Sequence, residues 1–159
     1  MSPRRRTAAL SPDQWMDLAV RYLARWDRTV AQVEQFLLHR GASPTQAQHV
    51  IRRLSGLRYL DDHAYAERWI ERRLARHPMG RARLKAELRA RGVAESLADE
   101  VTDRVVQAAD EEDLARRALK TKQRKGRRYK PAQAVRLLRQ WGFEEETIAR
   151  IIKLRDEPE

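Results

Sequence analysis

Gly41, Gly92 and Gly142 lie 51 and 50 residues apart, and each interrupts an amphipathic run that resumes within a few residues. Aligned on these glycines, the chain repeats itself. Leu37, Leu88 and Leu138 stand four residues before them; Ala47, Ala98 and Ile148 stand six after, and Val50, Val101 and Ile151 nine after. Upstream, Ala19-Arg21-Leu23, Ala66-Arg68-Ile70 and Ala115-Arg117-Leu119 share an A-x-R-x-[L/I] pattern. A fixed period of this size with helical apolar spacing marks a stacked array, in which each unit buries its own small core and a face of its neighbour. The expected fold is all-α, an elongated curved array of three tandem three-helix repeats. The repeats are expected over 11–57, 58–109 and 110–159, behind a flexible basic arm over 1–10.

Capping signals place the helices. Ser11-Pro12-Asp13-Gln14, Thr29-Val30-Ala31-Gln32 and Ser43-Pro44-Thr45-Gln46 are capping boxes. In each, the hydroxyl can accept from an orphan backbone N–H, worth about 1 kcal/mol. They predict helices over 12–26, 30–40 and 44–54, with Gly41 closing the second in a left-handed turn. Asp61 or Asp62 can cap a fourth helix reaching His77, where Pro78 disfavours helix in the residue before it. Helices over 81–91 and 95–108 flank Gly92. The last third starts at Asp110, breaks around Gly126, restarts after Pro131, stops at Gly142 and resumes at Glu144 to Glu146. Only six glycines and six prolines occur, against abundant Ala, Leu, Arg and Glu, which favours helix.

The residue types present narrow the chemistry. The chain has no cysteine, which removes disulfides, thiolate metal sites and cysteine nucleophiles and fits a reducing cytoplasm. No apolar run approaches the roughly 20 residues needed to span a bilayer, so no membrane association is expected. His39, His49, His63 and His77 show no metal-ligand spacing. Asp61-Asp62 reads as a helix cap rather than a catalytic pair. Trp15, Trp26, Trp69 and Trp141 sit at apolar helical positions and read as packing residues rather than base-stacking platforms. No phosphate-binding glycine loop and no Ser-His-Asp order is present. The chain is expected to be a non-enzyme that takes no cofactor and no metal.

Charge points to a polyanionic partner. The formal net charge is +11: +6 over 1–60, +1 over 61–109 and +4 over 110–159. Such an excess suits nucleic acid or an acidic protein surface. Lys120, Lys122, Arg124, Lys125, Arg127, Arg128 and Lys130 put seven cations in eleven residues with no acid. Arg81, Lys85 and Arg89 recur at i, i+4, i+8 and form one stripe beside the apolar Leu84 and Leu88; Arg83 and Arg91 widen it. Like charges at that spacing repel by a few tenths of a kcal/mol. A rule broken without local gain is expected to mark a functional surface. Arg72, Arg73 and Arg76 extend it, though Glu67 and Glu71 lie among them.

Residues 57–97, beginning LRYLDDHAYAERWIERRLARHPMGRARLKAELRARGV, resemble the RecX family of recombination regulators. The resemblance rests on an ordered set: Leu60-Asp61-Asp62, Tyr65-Ala66, a basic helix, then Gly80 and Arg83 before Leu84, Leu88 and Gly92-Val93. The repeat and the short, basic, cysteine-free chain agree over nearly the whole length. The resemblance implies a non-enzymatic monomer that binds the RecA recombinase filament on single-stranded DNA and curbs its growth, ATPase and strand exchange. It also implies some direct, salt-sensitive DNA binding. Two other readings stay open on residues alone: a general basic helical DNA-binding protein, and a protein-only helical scaffold. Against the first, the helices after Gly92 and Gly142 are acidic, with Glu95, Asp99, Glu100 and Asp103, and Glu144 to Glu146, whereas a duplex-reading helix presents polar side chains to base edges.

Overall fold

Extended backbone at Ser11, Thr29 and Ser43 meets three capping boxes, and a helix starts at the residue after each. In the first, the Gln14 N–H donates to the Ser11 hydroxyl at 3.2 Å while Ser11 N–H donates to Gln14 Oε1 at 2.8 Å. Thr29 with Gln32 and Ser43 with Gln46 repeat this geometry. The helices are α1 (Pro12–Arg25), α2 (Val30–His39) and α3 (Pro44–Gly56). The helix α3 runs two residues past its expected end. Gly56 is helical, and the left-handed position falls on Arg58 at φ 60°, where Tyr59 N–H reaches the Leu54 carbonyl at 2.9 Å.

The same triplet recurs twice: α4 (Asp62–Arg76), α5 (Arg81–Ala90) and α6 (Glu95–Ala109), then α7 (Glu111–Lys122), α8 (Pro131–Gln140) and α9 (Glu145–Asp156). This computed structural model describes residues 9–123 and 128–156, the side chains of 122, 155 and 156 excepted. The basic arm expected over 1–10 therefore lies, but for Ala9 and Leu10, outside the described residues. No strand occurs among the described residues. Gly41, Gly92 and Gly142 all take positive φ, at 100°, 87° and 83°. In each case the residue after the glycine donates to the carbonyl of the leucine four before it, as Val93 does to Leu88 at 3.2 Å. The glycine is required there because a Cβ in the left-handed region meets its own backbone.

Contacts divide the chain into two compact units, residues 1–62 and 63–159. The first holds one triplet, packed on Trp15, Ala19, Val33, Leu37, Ala47, Val50, Ile51, Leu54 and Leu60. The second holds two triplets on one continuous core that runs from Tyr65 to Ile151. The residues aligned on the glycines line these cores. Leu37, Leu88 and Leu138 are 0% exposed, as are Ala47, Ala98 and Val101; Val50 is 1% and Ile148 and Ile151 are 2% exposed. Burying each such leucine is worth about 1.5–3 kcal/mol relative to leaving it in water.

Within the second unit two backbones interlock. Gly80 N–H donates to the Trp141 carbonyl at 2.9 Å and Ala82 N–H to the Gly142 carbonyl at 3.1 Å. A Cβ on Gly80 would lie 2.2 Å from the Gly142 oxygen, so the start of α5 and the α8–α9 turn fit only with glycine there. The tryptophans divide. Trp15 and Trp69 are buried, Trp141 packs at the core margin, and Trp26 is 70% exposed, contrary to its expected packing role. Trp26 stands one residue past α1 in extended backbone, so the apolar stripe of the helix no longer carries it inward.

Candidate partner-binding surface

The stripe Arg81, Lys85, Arg89 has partners within the fold. An antiparallel helical hairpin turning at Gly92 brings together residues at equal distances on either side. Arg89 and Glu95, three away, pair at 2.8 Å. Lys85 and Asp99, seven away, approach to 3.6 Å. Arg81 and Asp103, eleven away, pair at 3.0 Å, and Lys85 also reaches Asp103 at 3.0 Å. The expectation that no local gain offsets the like-charge repulsion on α5 is thus corrected. The acidic face of α6 supplies the gain. The mirror about Gly92 is present in the sequence, but it becomes visible only once the glycine is read as the pivot of a hairpin. Around Gly41 the same geometry joins Glu34 to Gln48 at 2.9 Å, and around Gly142 it joins Arg139 to Glu145 at 2.9 Å.

Arg81 does more than close the hairpin. Its Nε reaches Glu111 at 3.2 Å and Glu144 at 3.8 Å, and its backbone N–H donates to Glu111 Oε1 at 3.2 Å. Glu111, whose side chain is 8% exposed, also accepts from the Thr147 hydroxyl at 3.1 Å. So the first residue of α7 caps the start of α5, which Gly80 cannot do with a side chain. The first unit contains the counterpart: Asp62, the first residue of α4, accepts from Val30 N–H at the start of α2 at 2.9 Å. Asp62 and Glu111 lie 49 residues apart, one repeat period. Asp61 or Asp62 is expected from the sequence to cap α4; Asp62 instead lies inside that helix and caps the preceding repeat's second helix.

The fields around these groups are strong. Partial burial opposes the charge on Arg81, but Glu111, Glu144 and Asp103 outweigh it and hold the guanidinium above its ordinary value. Burial likewise opposes ionisation of Asp103, yet hydrogen bonds and charge from Lys85 and Arg81 hold its carboxyl below the ordinary value of 3.8. Asp62 goes the other way. Burial, reinforced by the charge of Asp61, raises it above 3.8 despite the hydrogen bond from Val30.

The remaining sequence-predicted cations fall into four groups. Arg73 and Arg83 share one carboxylate oxygen of Glu87, at 3.4 and 3.2 Å. Arg91 lies over the Trp69 ring, 4.7 Å from its centroid, and donates to the Glu87 carbonyl at 3.1 Å. Arg72, Arg76, Lys120, Arg128 and Lys130 are exposed. The Lys122 side chain and all of Arg124, Lys125 and Arg127 lie outside the described residues. Arg73 and Arg83 also line a cavity of about 250 Å³ with His77, Met79, Thr121 and Trp141. Neither Glu87 nor Trp141 stood out in the sequence as part of a site, because their roles depend on which helices pack together. No group of residues suited to a metal ion occurs among the described residues. Nor is any described helix long and apolar enough to cross a membrane.

Comparison with known proteins agrees with this architecture. Residues 61–101 match the family model described as "RecX, second three-helix domain". The chain is 33% identical over 140 residues to the regulatory protein RecX of Treponema pallidum (strain Nichols), covering 88% of this chain and 84% of that one. It is 37% identical over 87 residues to that of Halorhodospira halophila, covering 55% and 53%. The crystal structure of RecX from Lactobacillus salivarius superposes with a TM-score of 0.79 at 20% identity, over 91% of this chain and 96% of that one. A second RecX crystal structure gives 0.71 at 21% identity. With repeat, hairpin and turn geometry in place, and a relative matched along most of both chains, this protein belongs to the RecX family of regulatory proteins.

Proposed function

We propose that the protein modulates, and mainly inhibits, the RecA recombinase. In this reading it binds the RecA–single-stranded-DNA filament through basic helical surfaces and curbs filament growth, ATP hydrolysis and strand exchange. It works by occupying surface and catalyses nothing, acting as a monomer in the cytoplasm. The observation that carries this reading is how the positive charge is distributed. On α5, Arg81, Lys85 and Arg89 are matched against α6 and α7, so they hold the second unit together. Arg76, Lys120, Arg128 and Lys130 are exposed and have no carboxylate partner among the described residues. Cations that meet solvent rather than carboxylates are available to a polyanion, and phosphate contacts fix position without reading sequence. The acidic face of α6 argues against a duplex-reading helix, since α5 already covers it.

The test is RecA-catalysed ATP hydrolysis on single-stranded DNA with this protein well below one copy per RecA. A fall in rate is expected. An unchanged rate at equal copies and low salt overturns the reading. Binding to bare single-stranded DNA should weaken steeply with salt, because each neutralised phosphate releases counterions; a flat response means that protein contacts dominate.

A further inference from the structure

The second unit contains a solvent-open cavity of about 250 Å³ that its helix–helix packing does not fill. Arg73 from the last turn of α4, Arg83 from α5, Thr121 from α7 and Trp141 from the α8–α9 turn line it, together with His77 and Met79 from the α4–α5 link. Charge in it is unbalanced. Two guanidinium groups compete for one Glu87 oxygen, leaving a formal positive charge uncompensated. On the apolar side, Met79 and the half-buried Trp141 indole supply a wall suited to a flat ring.

A ligand that satisfies both halves carries an anionic oxygen group for the arginines and a π-surface for the indole. We propose that this cavity holds one nucleotide of a single-stranded nucleic acid, its phosphate between Arg73 and Arg83 and its base against Trp141. The proposal deepens the filament reading above and rests on it. An acidic peptide would use the arginines and leave the indole idle. Duplex is disfavoured because its bases are stacked, whereas a single strand can turn one out onto an aromatic side chain. Lys120, next in sequence to the lining residue Thr121, is exposed and adds positive charge. Every base has a π-face, so binding is tolerant of sequence.

The experiment uses the full chain and a fluorescein-labelled oligothymidylate at low salt, read by anisotropy, with RecA ATPase measured in parallel. Arg73→Gln/Arg83→Gln and, separately, Trp141→Leu should each weaken binding at least about tenfold. The charge-matched control Arg25→Gln/Arg52→Gln, on the other unit, should move it far less than the arginine pair does. Trp141→Leu keeps the charge, so its loss of affinity reports stacking even if the arginine pair folds poorly; Trp141→Phe should recover part of it. Three results overturn the proposal: Trp141→Leu binding as the parent chain does, an arginine pair no weaker than its control, or a polyglutamate peptide displacing the oligonucleotide more readily than thymidylate chains do. If the parent chain slows RecA without binding the oligonucleotide, this site is wrong and the regulatory reading stands. If it does neither, the regulatory reading fails and this site with it.

Discussion

Both units close a second helix with a distant carboxylate, Asp62 for α2 and Glu111 for α5, but they differ in how far local caps assist. In residues 1–62, Ser11, Thr29 and Ser43 each satisfy a helix N-terminus with a glutamine three residues on. In residues 63–159, α5 and α6 begin at Gly80 and Ala94 with no side-chain cap. There α5 is closed from a distance, by Glu111 and by the carbonyls of Trp141 and Gly142. Where two triplets share one core, long-range contacts can replace local ones. They also couple the triplets, so damage at one is felt by both.

Substitutions can break that contrast. Gly80→Ala should be the most damaging, costing about 3 kcal/mol or more, because the clash is with backbone rather than a flexible side chain. Urea denaturation should show the second unit lost as a whole. Arg81→Ala comes next. It leaves Glu111 buried beside Thr147 without its charge partner and should cost about 2–3 kcal/mol, the 22% exposure of Arg81 trimming the usual figure for a buried pair. The double variant with Glu111→Gln should cost less than the two single losses added, and strict additivity would refute the coupling.

Gly41→Ala meets no atom within 4 Å yet requires φ 100°, so it should cost about 1–2 kcal/mol, all of it conformational. Gly142→Ala adds a clash with Arg83 at 2.4 Å and should cost clearly more. Equal losses at the two positions would mean the second unit opens there freely. Ser43→Ala should cost about 1 kcal/mol and leave the second unit's transition untouched.

The smallest effects are in pH. Asp103 is held below 3.8 in the folded chain, so the fold favours its ionised form. Its contribution is complete above 3.8 and is lost as pH falls through the lower folded value. Asp62 is held above 3.8, so the fold favours its protonated form, and that contribution is lost as pH rises through the raised value. Asp62→Asn keeps an oxygen for Val30 N–H and removes the repulsion from Asp61. It should therefore flatten the stability profile above pH 4 while Lys85→Met flattens it below. Denaturation midpoints across pH 3 to 7 check both signs.

Much of the architecture was readable from spacing. The positions aligned on the three glycines are the buried ones, because the 3.6-residue period and the left-handed turn act over a few residues and need no partner. The cations were harder. Arg81 and Lys85 stood out as a stripe, and only the α5–α6 hairpin shows that stripe facing carboxylates. Trp26 and Trp141 looked alike in the sequence, yet one is in solvent and the other walls a cavity.

The amino-acid order by itself determined most helix starts and stops to within about two residues, the buried positions aligned on the glycines and that the pattern occurs three times, since capping, periodicity and glycine geometry are local. Tertiary structure alone decided which charges are consumed internally, that Gly80 and Gly142 must both be glycine for two backbones to meet, and that Arg73, Arg83 and Trp141 surround one cavity. These depend on distances between residues far apart in the chain, and Coulomb and contact forces act only once packing has brought them within a few ångströms.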